Sequence, residues 1–270
     1  MRVLIATTSK DNSAKAIAKR LAEKNMEAVI AHYGKLPAGD FDYYVLRDPY
    51  NEGKDLSLAF RKLFEKIGSD KVLDYKAITT FPEFEDKLFQ HRLLSTKVPM
   101  LRFWSLPGLE YADFSYPIVV KKRISSRGKE IFLIRSKAEL EAFFHTRELE
   151  DYFFEEFYPA KKDIRVILIG GRVIGAVNRV VRQKPNQGFS GMGVKVREVH
   201  QTNQAEAEIA KRCVLELGAD FCGVDMLLGE DGQVKVLECN LSPQFISSEK
   251  LLKSDIAGHL ASFILSKVRK

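Results

Sequence analysis

Three oxygen donors near the C-terminal end of the chain are the side chains best suited to chemistry. They are Asp225, Glu238 and Asn240, in the stretch Gly223-Val-Asp-Met-Leu-Leu-Gly-Glu-Asp-Gly-Gln-Val-Lys-Val-Leu-Glu-Cys-Asn240. Two β-rich runs flank Glu230-Asp-Gly-Gln233, and an Asp-Gly pair between such runs signals a tight hairpin. With Asp231 and Gly232 as a two-residue loop, Asp225 falls directly across from Glu238. Side chains alternate along a strand, so Glu238 and Asn240 share a face while Cys239 points the other way. Facing residues bring their Cβ atoms to about 4.5–5.5 Å, where like charges repel. A hard divalent cation such as Mg²⁺, which takes carboxylates, phosphates and water as ligands, would offset that repulsion. Pairing of the carboxylates with lysine or arginine is the alternative, and this Lys-rich chain can supply it.

The rest of the composition sets bounds. At 270 residues, 45% hydrophobic and 29% charged, the chain has an ordinary globular composition and enough length for two or three subdomains. No run approaches the ~20 apolar residues that span a bilayer. Met1-Arg2 leads into Val3-Leu-Ile-Ala6, too short a run for a signal-peptide core. Cys213, Cys222 and Cys239 form no C-x-x-C pair, which argues against a disulfide framework or zinc and suits a reducing cytoplasm. The five histidines are scattered and form no ligand pattern. A net charge of +7 suits anionic ligands in general. The basic residues are spread along the whole length, which disfavours nucleic acid as a partner.

These donors need elements to position them. Residues 1–79 alternate as a small parallel α/β unit, with strands at Val3-Leu-Ile-Ala-Thr, Ala28-Val-Ile-Ala31 and Tyr43-Tyr-Val-Leu46 and helices over 13–24 and 57–67. It lacks the G-x-G-x-x-G dinucleotide fingerprint. Arg47 ends a strand, where open α/β sheets bind ligands; it either holds a substrate carboxylate or makes a surface salt bridge. The spacing predicts a helix over 81–94, with Pro82 in its first turn. Lys121 closes an apolar strand, and the polar loop 125–129 could cover phosphates with its backbone N–H groups and Lys129. A solvated surface charge is the plain alternative for Lys121. A strand over 151–158 leads to a hairpin over 163–181 with a Gly170-Gly171 turn, then a glycine-bearing loop over 184–193. Asn203 with Glu206 forms a capping box for a helix that stops at Gly218. From Ile246 onward the chain is mostly helical.

The order of helix with Asp-Lys, Val-Val-Lys strand, acidic linker strand, Asp-x-Arg hairpin and Gly-Val-Asp…Glu-x-Asn resembles the ATP-grasp superfamily, most closely its RimK-like carboxylate–amine ligase branch. The resemblance implies an α/β (α+β) ATP-grasp fold with an N-terminal doubly wound pre-ATP-grasp domain. Its divisions would be 1–79 for the pre-ATP-grasp domain, 80–157 for the small lid subdomain and 158–270 for the C-terminal catalytic subdomain. Lys87 and Lys121 match the two lysines that contact ATP phosphates. Glu155, Glu156 and Phe157 match the linker that reads adenine through its backbone, Asp163 the acid near the ribose, and Arg165 the arginine after it. Arg179 matches an arginine near the developing acyl phosphate. Asn186 and Gly191 lie in the loop where the family places a similar Asn. Asp225, Glu238 and Asn240 match Mg²⁺ ligands.

The chain departs from the pattern in three places. Ser125-Ser-Arg-Gly-Lys129 has one glycine where the family's phosphate loop is richer, Lys184 stands where an Arg is common, and Gln244 follows Pro243 where Gly is usual. The implied cofactors are ATP and two Mg²⁺ ions bridged by Glu238, with Mn²⁺ as a substitute. The implied function is Mg-dependent activation of a small-molecule or peptide carboxylate as an acyl phosphate, followed by joining to an amine. An ATP-grasp kinase, or a nucleotide-binding protein without ligase activity, is the alternative. No membrane is implied, and a homo-oligomer is left open. On this reading Asp225→Ala and Glu238→Ala should each abolish ATP turnover with the fold intact.

Overall fold

The computed structural model describes residues 1–7, 11–47, 68–80, 84–106, 108, 113–125, 130–182 and 193–269. Strands β1 (Arg2–Thr7), β2 (Glu27–His32) and β3 (Tyr43–Leu46) form a parallel sheet in the order β2-β1-β3. Parallel neighbours need a crossover, which α1 (Asn12–Ala22) supplies between β1 and β2; its N-cap is Asp11, whose side chain accepts from Ser13 N–H. After α2 (Tyr75–Thr80) and α3 (Lys87–Leu94) comes a second sheet. It comprises β4 (Phe103–Trp104), β5 (Ile118–Lys122), β6 (Ile131–Ile134) and, beyond α4 (Lys137–Phe144), β7 (Tyr152–Glu156), in the order β4-β7-β5-β6. The third sheet carries β8 (Ala160–Ile169), β9 (Arg172–Arg182), β10 (Gly193–His200), then, past α5 (Gln204–Leu217), β11 (Phe221–Gly229) and β12 (Val234–Asn240). Its order is β10-β9-β8-β11-β12. Helices α6 (Ile246–Leu252) and α7 (Ile256–Val268) close the chain. Among the described residues no helix is long and apolar enough to cross a membrane.

The five-stranded sheet is buried on both faces, and strand alternation decides which residue goes where. Ile164, Val166 and Leu168 of β8 join Val224 and Met226 in one core with α5. Ile167 and Ile169 face the other core, with Phe221, Phe245 and α7, against the β1 and β3 side chains. Ala77, Phe84, Leu94, Val98 and Met100 pack into the first of these cores. Thus α3 is seated on the five-stranded sheet although it precedes the strands of the four-stranded one.

Several sequence expectations are corrected here. The helix predicted over 81–94 begins only at Lys87, because the Asp86 carboxylate accepts from Leu88 N–H and acts as N-cap; residues 81–83 lie outside the described residues. The segment after the 184–193 loop is strand β10, whose alternating Val194, Val196 and Val199 carried that signal. The C-terminal helical region breaks at Lys253, which adopts a left-handed conformation with φ 50°. Arg47 makes no surface salt bridge: it is 1% exposed, with Nε on Asp11 Oδ2 at 2.9 Å and Nη2 on the Pro243 carbonyl at 3.3 Å. The helix predicted over 57–67 lies outside the described residues.

The N-terminal unit is tied to the third sheet by two aspartates that exchange hydrogen bonds. Asp74 Oδ1 accepts from the N–H groups of Asp220 (2.6 Å) and Phe221 (2.9 Å), and Asp220 Oδ2 accepts from Asp74 N–H at 3.0 Å. Burial, and then the neighbouring Asp220 charge, push the Asp74 carboxyl well above its ordinary 3.8. The folded protein therefore holds this proton more tightly than the unfolded chain. Asp74's contribution is complete below pH 3.8 and is lost as pH rises from there through the raised folded value. Asp74→Asn keeps the acceptor and tolerates the positive φ of 59°. It should raise the Tm at pH 8 and flatten the fall in Tm between pH 4 and 8; a wild-type slope in that series would refute the assignment.

Candidate active site

The β11–β12 hairpin differs from the simplest expectation in a way that cancels. Gly229 N–H donates to the Gln233 carbonyl at 2.8 Å, so the loop is Glu230-Asp231-Gly232, three residues rather than two. Gly232 takes φ +78°, the left-handed position that such a loop assigns to glycine. Leu228, Leu227 and Met226 then pair with Val234, Lys235 and Val236, one step out of the simple register. A bulge at Leu237 inserts one residue and restores it, so Asp225 faces Glu238 and Gly223 faces Asn240. Glu238 and Asn240 are half-buried, and Cys239 turns into the core.

Asp225 is 1% exposed and carries two arginines. Arg165, directly opposite it on β8, donates Nε to Oδ1 at 2.6 Å and Nη2 to Oδ2 at 2.7 Å. Arg179 Nη1 donates to Asp225 Oδ2 at 2.8 Å, while its Nε and Nη2 grip Asp163 Oδ1 at 3.0 and 2.5 Å. Asp163 and Arg179 are themselves a facing pair on β8 and β9. The result is an alternating Arg165–Asp225–Arg179–Asp163 array. Burial alone would raise the Asp225 carboxyl, but the two arginines outweigh it and hold the group below its ordinary range. At Asp163 burial prevails over Arg179, and the carboxyl is raised. Arginine pairing, the alternative left open by the sequence, thus holds for Asp225. Glu238 has a longer contact, 3.9 Å from Lys87 Nζ.

Lys87 opens α3 and donates Nζ to the Ser125 carbonyl at 2.6 Å, bridging toward the loop after β5. Lys121 is no solvated surface charge: its Nζ sits 2.5 Å from Glu155 Oε2, and both side chains are largely buried. Glu155 Oε1 lies 2.7 Å from His91 Nε2, and His91 Nδ1 donates to the Lys87 carbonyl at 2.8 Å. Each ring nitrogen therefore faces an acceptor, and a proton on each satisfies both contacts. Burial would raise the Glu155 carboxyl, yet Lys121 and His91 together bring it down to about 2. Glu156 accepts from Arg102 N–H (3.0 Å) and Nε (2.8 Å), and Phe157 is exposed.

Lys129, Asn186 and Gly191 lie outside the described residues. The others come together around α3, β5, β7 and the Asp225 region of the third sheet. Two residues escaped the sequence reading, Gln90 and His91. The signal was their spacing: Lys87, Gln90 and His91 stand at i, i+3 and i+4, on one helix face. The donor set of two carboxylates and an amide oxygen on facing strands fits a hard cation of the Mg²⁺ type.

A profile of the RimK-like ATP-grasp domain matches residues 107–264. The chain belongs to the RimK-like ATP-grasp family. Among RimK-like relatives, N-acetylaspartylglutamate synthase A of Homo sapiens is 34% identical over 185 residues, covering 63% of this chain and 46% of that protein. The probable alpha-L-glutamate ligase of Haemophilus ducreyi is 31% identical over 223 residues, covering 76% and 70%. The chain spans between 39% and 47% of the length of the vertebrate synthases it matches first. The crystal structure of D-cycloserine synthetase DcsG superposes with a TM-score of 0.76 at 16% identity, over 99% of this chain and all of that one. The ATP-grasp ligase PsnB, in complex with Mg and ADP, gives 0.73 at 18% identity over 98% of each chain. The RimK-like chain thus has the ATP-grasp fold.

Proposed function

We propose that the protein is a Mg-dependent carboxylate–amine ligase that forms an acyl phosphate from ATP and hands it to an amine. The observation that carries this reading is the facing pair Asp225–Glu238, with Asn240 beside it, within reach of Lys87 on the same sheet. Asp225, Glu238 and Asn240 would hold Mg²⁺, with Glu238 shared between two ions. The metal, when bound, supplies Lewis-acid neutralisation of the phosphates and a template for them. Lys87 and Lys121 hold phosphate oxygens as point charges, Lys129 caps them from the loop, and residues 155–157 receive the adenine. Arg165 and Arg179 order the acidic side of the site, and Asp163 lies between nucleotide and arginine.

In the first step a substrate carboxylate oxygen attacks the γ-phosphorus, the bond to the β,γ-bridging oxygen breaks, and ADP leaves. In the second, the amine nitrogen attacks the acyl carbon, the carbon–oxygen bond to phosphate breaks, and the nitrogen loses its proton. Positioning and charge neutralisation carry such transfers. No side-chain nucleophile is required of the chain.

The names of the relatives favour an amino acid as the amine, and glutamate is the first to try. The division at 79/80 and 157/158 follows the three sheets, except that α3 packs with the third. The three buried free cysteines support a reducing, cytoplasmic setting. An ADP-release screen with Mg²⁺, pairing amino acids with dicarboxylic acids, tests the function. The expected result is ADP and free phosphate in equal amounts, only when acid and amine are both present. ADP with phosphate retained in an ester would make the protein a kinase instead.

A further inference from the structure

Helix α3 meets the metal-ligand strand through Gln90, a residue 2% exposed. Gln90 Nε2 donates to the Cys239 carbonyl at 2.9 Å and to the Phe84 carbonyl at 2.6 Å. Gln90 Oε1 accepts from Cys239 N–H at 2.8 Å. A flipped amide would set an NH₂ against an N–H and an oxygen against two carbonyls, so the orientation is decided by its partners. Cys239 lies between Glu238 and Asn240. Its backbone N–H and C=O both face away from β11, on the free edge of the sheet.

Gln90 thus does the work of one residue of a sixth strand. It pairs the edge of β12 where that strand is irregular, one residue beyond the bulge at Leu237. Further along, the Pro99 carbonyl accepts from Val236 N–H at 2.8 Å, so the edge is held on both sides of the bulge. The next residue of the helix, His91, faces the other sheet and grips Glu155, which grips Lys121. One turn of α3 therefore touches both halves of the site, the metal strand through Gln90 and the nucleotide lysine through His91.

We propose that Gln90 is a positioning residue for the metal, fixing Glu238 and Asn240 by pairing both backbone groups of Cys239. This rests on the metal assignment made above. Groups that orient metal ligands without touching the ion typically contribute about 10–100-fold to affinity, and a loss of that size is expected for Gln90→Met. The readout is Mn²⁺ binding to the full-length protein, followed by electron paramagnetic resonance of the free ion. A second readout is the midpoint of Mg²⁺ dependence in ADP release.

His91→Gln serves as the matched control from the same helix turn. It should raise the KM for ATP at saturating Mg²⁺ and leave Mn²⁺ affinity near wild type, whereas Gln90→Met should do the reverse. A general loosening of α3 would move both quantities in both variants, which would overturn the proposal. So would wild-type Mn²⁺ affinity in a folded Gln90→Met protein. If Gln90→Met does not fold, Gln90→Glu decides the matter. It keeps the acceptor for Cys239 N–H but sets a carboxylate against two carbonyls, and must weaken Mn²⁺ binding in the same direction. A wild-type protein that binds no Mn²⁺ would instead refute the metal assignment itself, together with this inference.

Discussion

Glu238→Gln should lower Mg-dependent ADP release by at least about 10²–10³-fold, the loss seen when one preorganised charge-stabilising group is removed from an active site. The Tm should stay at the wild-type value. Both halves of that expectation come from the environment of the side chain. The carboxylate is 31% exposed, and among the described residues its ion-pair contact is a single one of 3.9 Å to Lys87. Nothing folded depends on its charge, so a neutral isostere should cost under about 0.5 kcal/mol of stability. The measurement is ADP release across a Mg²⁺ titration beside a thermal melt. A Glu238→Gln enzyme at full rate would remove Glu238 from the site; one with a large drop in Tm would mean the carboxylate is structural.

Much of this site was legible because strand chemistry is periodic. The Asp-Gly turn, the alternation of Glu238, Cys239 and Asn240, and the facing of Asp225 with Glu238 follow from a period of two and one turn signal. Even so, the facing was reached for an incomplete reason. The loop is one residue longer than the simplest turn and the bulge at Leu237 compensates, and no residue type in that stretch announces either. The capping box at Asn203 and Glu206, present in full, and the stop at Gly218 were equally readable, because caps are local. What could not be read was long-range pairing. Gln90 and Cys239 are 149 residues apart in the chain, and a glutamine inside an amphipathic helix looks like any polar surface residue. His91 was hidden for the same reason, its carboxylate partner lying on a strand of another sheet. Arg47, held between a helix N-cap and the loop after Asn240, carries its meaning only once the first sheet is docked against α7.

Asp225→Ala should behave quite differently from Glu238→Gln, and here the geometry revises what residue type alone implies. Activity should vanish in both, but Asp225→Ala should also destabilise the protein. Its removal takes both hydrogen bonds from Arg165 and one from Arg179 in a place nearly closed to water. Arg179 retains Asp163, whereas Arg165 is left without its bidentate partner. Breaking a buried ion pair on one side typically costs about 3–5 kcal/mol. With about 2–4 °C of Tm per kcal/mol for a domain of this size, the melt should fall by roughly 6–20 °C. The companion variant Asp225→Ala/Arg165→Met removes the orphaned charge as well. It should recover a large part of the lost Tm, since contacting residues are not additive, while ADP release stays at background. Single and double variants with equal Tm values would mean that Arg165 is solvated in place and the array contributes little to folding. Recovery of stability without recovery of turnover separates the two jobs of Asp225: it neutralises two arginines in the fold, and it offers the oxygens that the proposed chemistry needs.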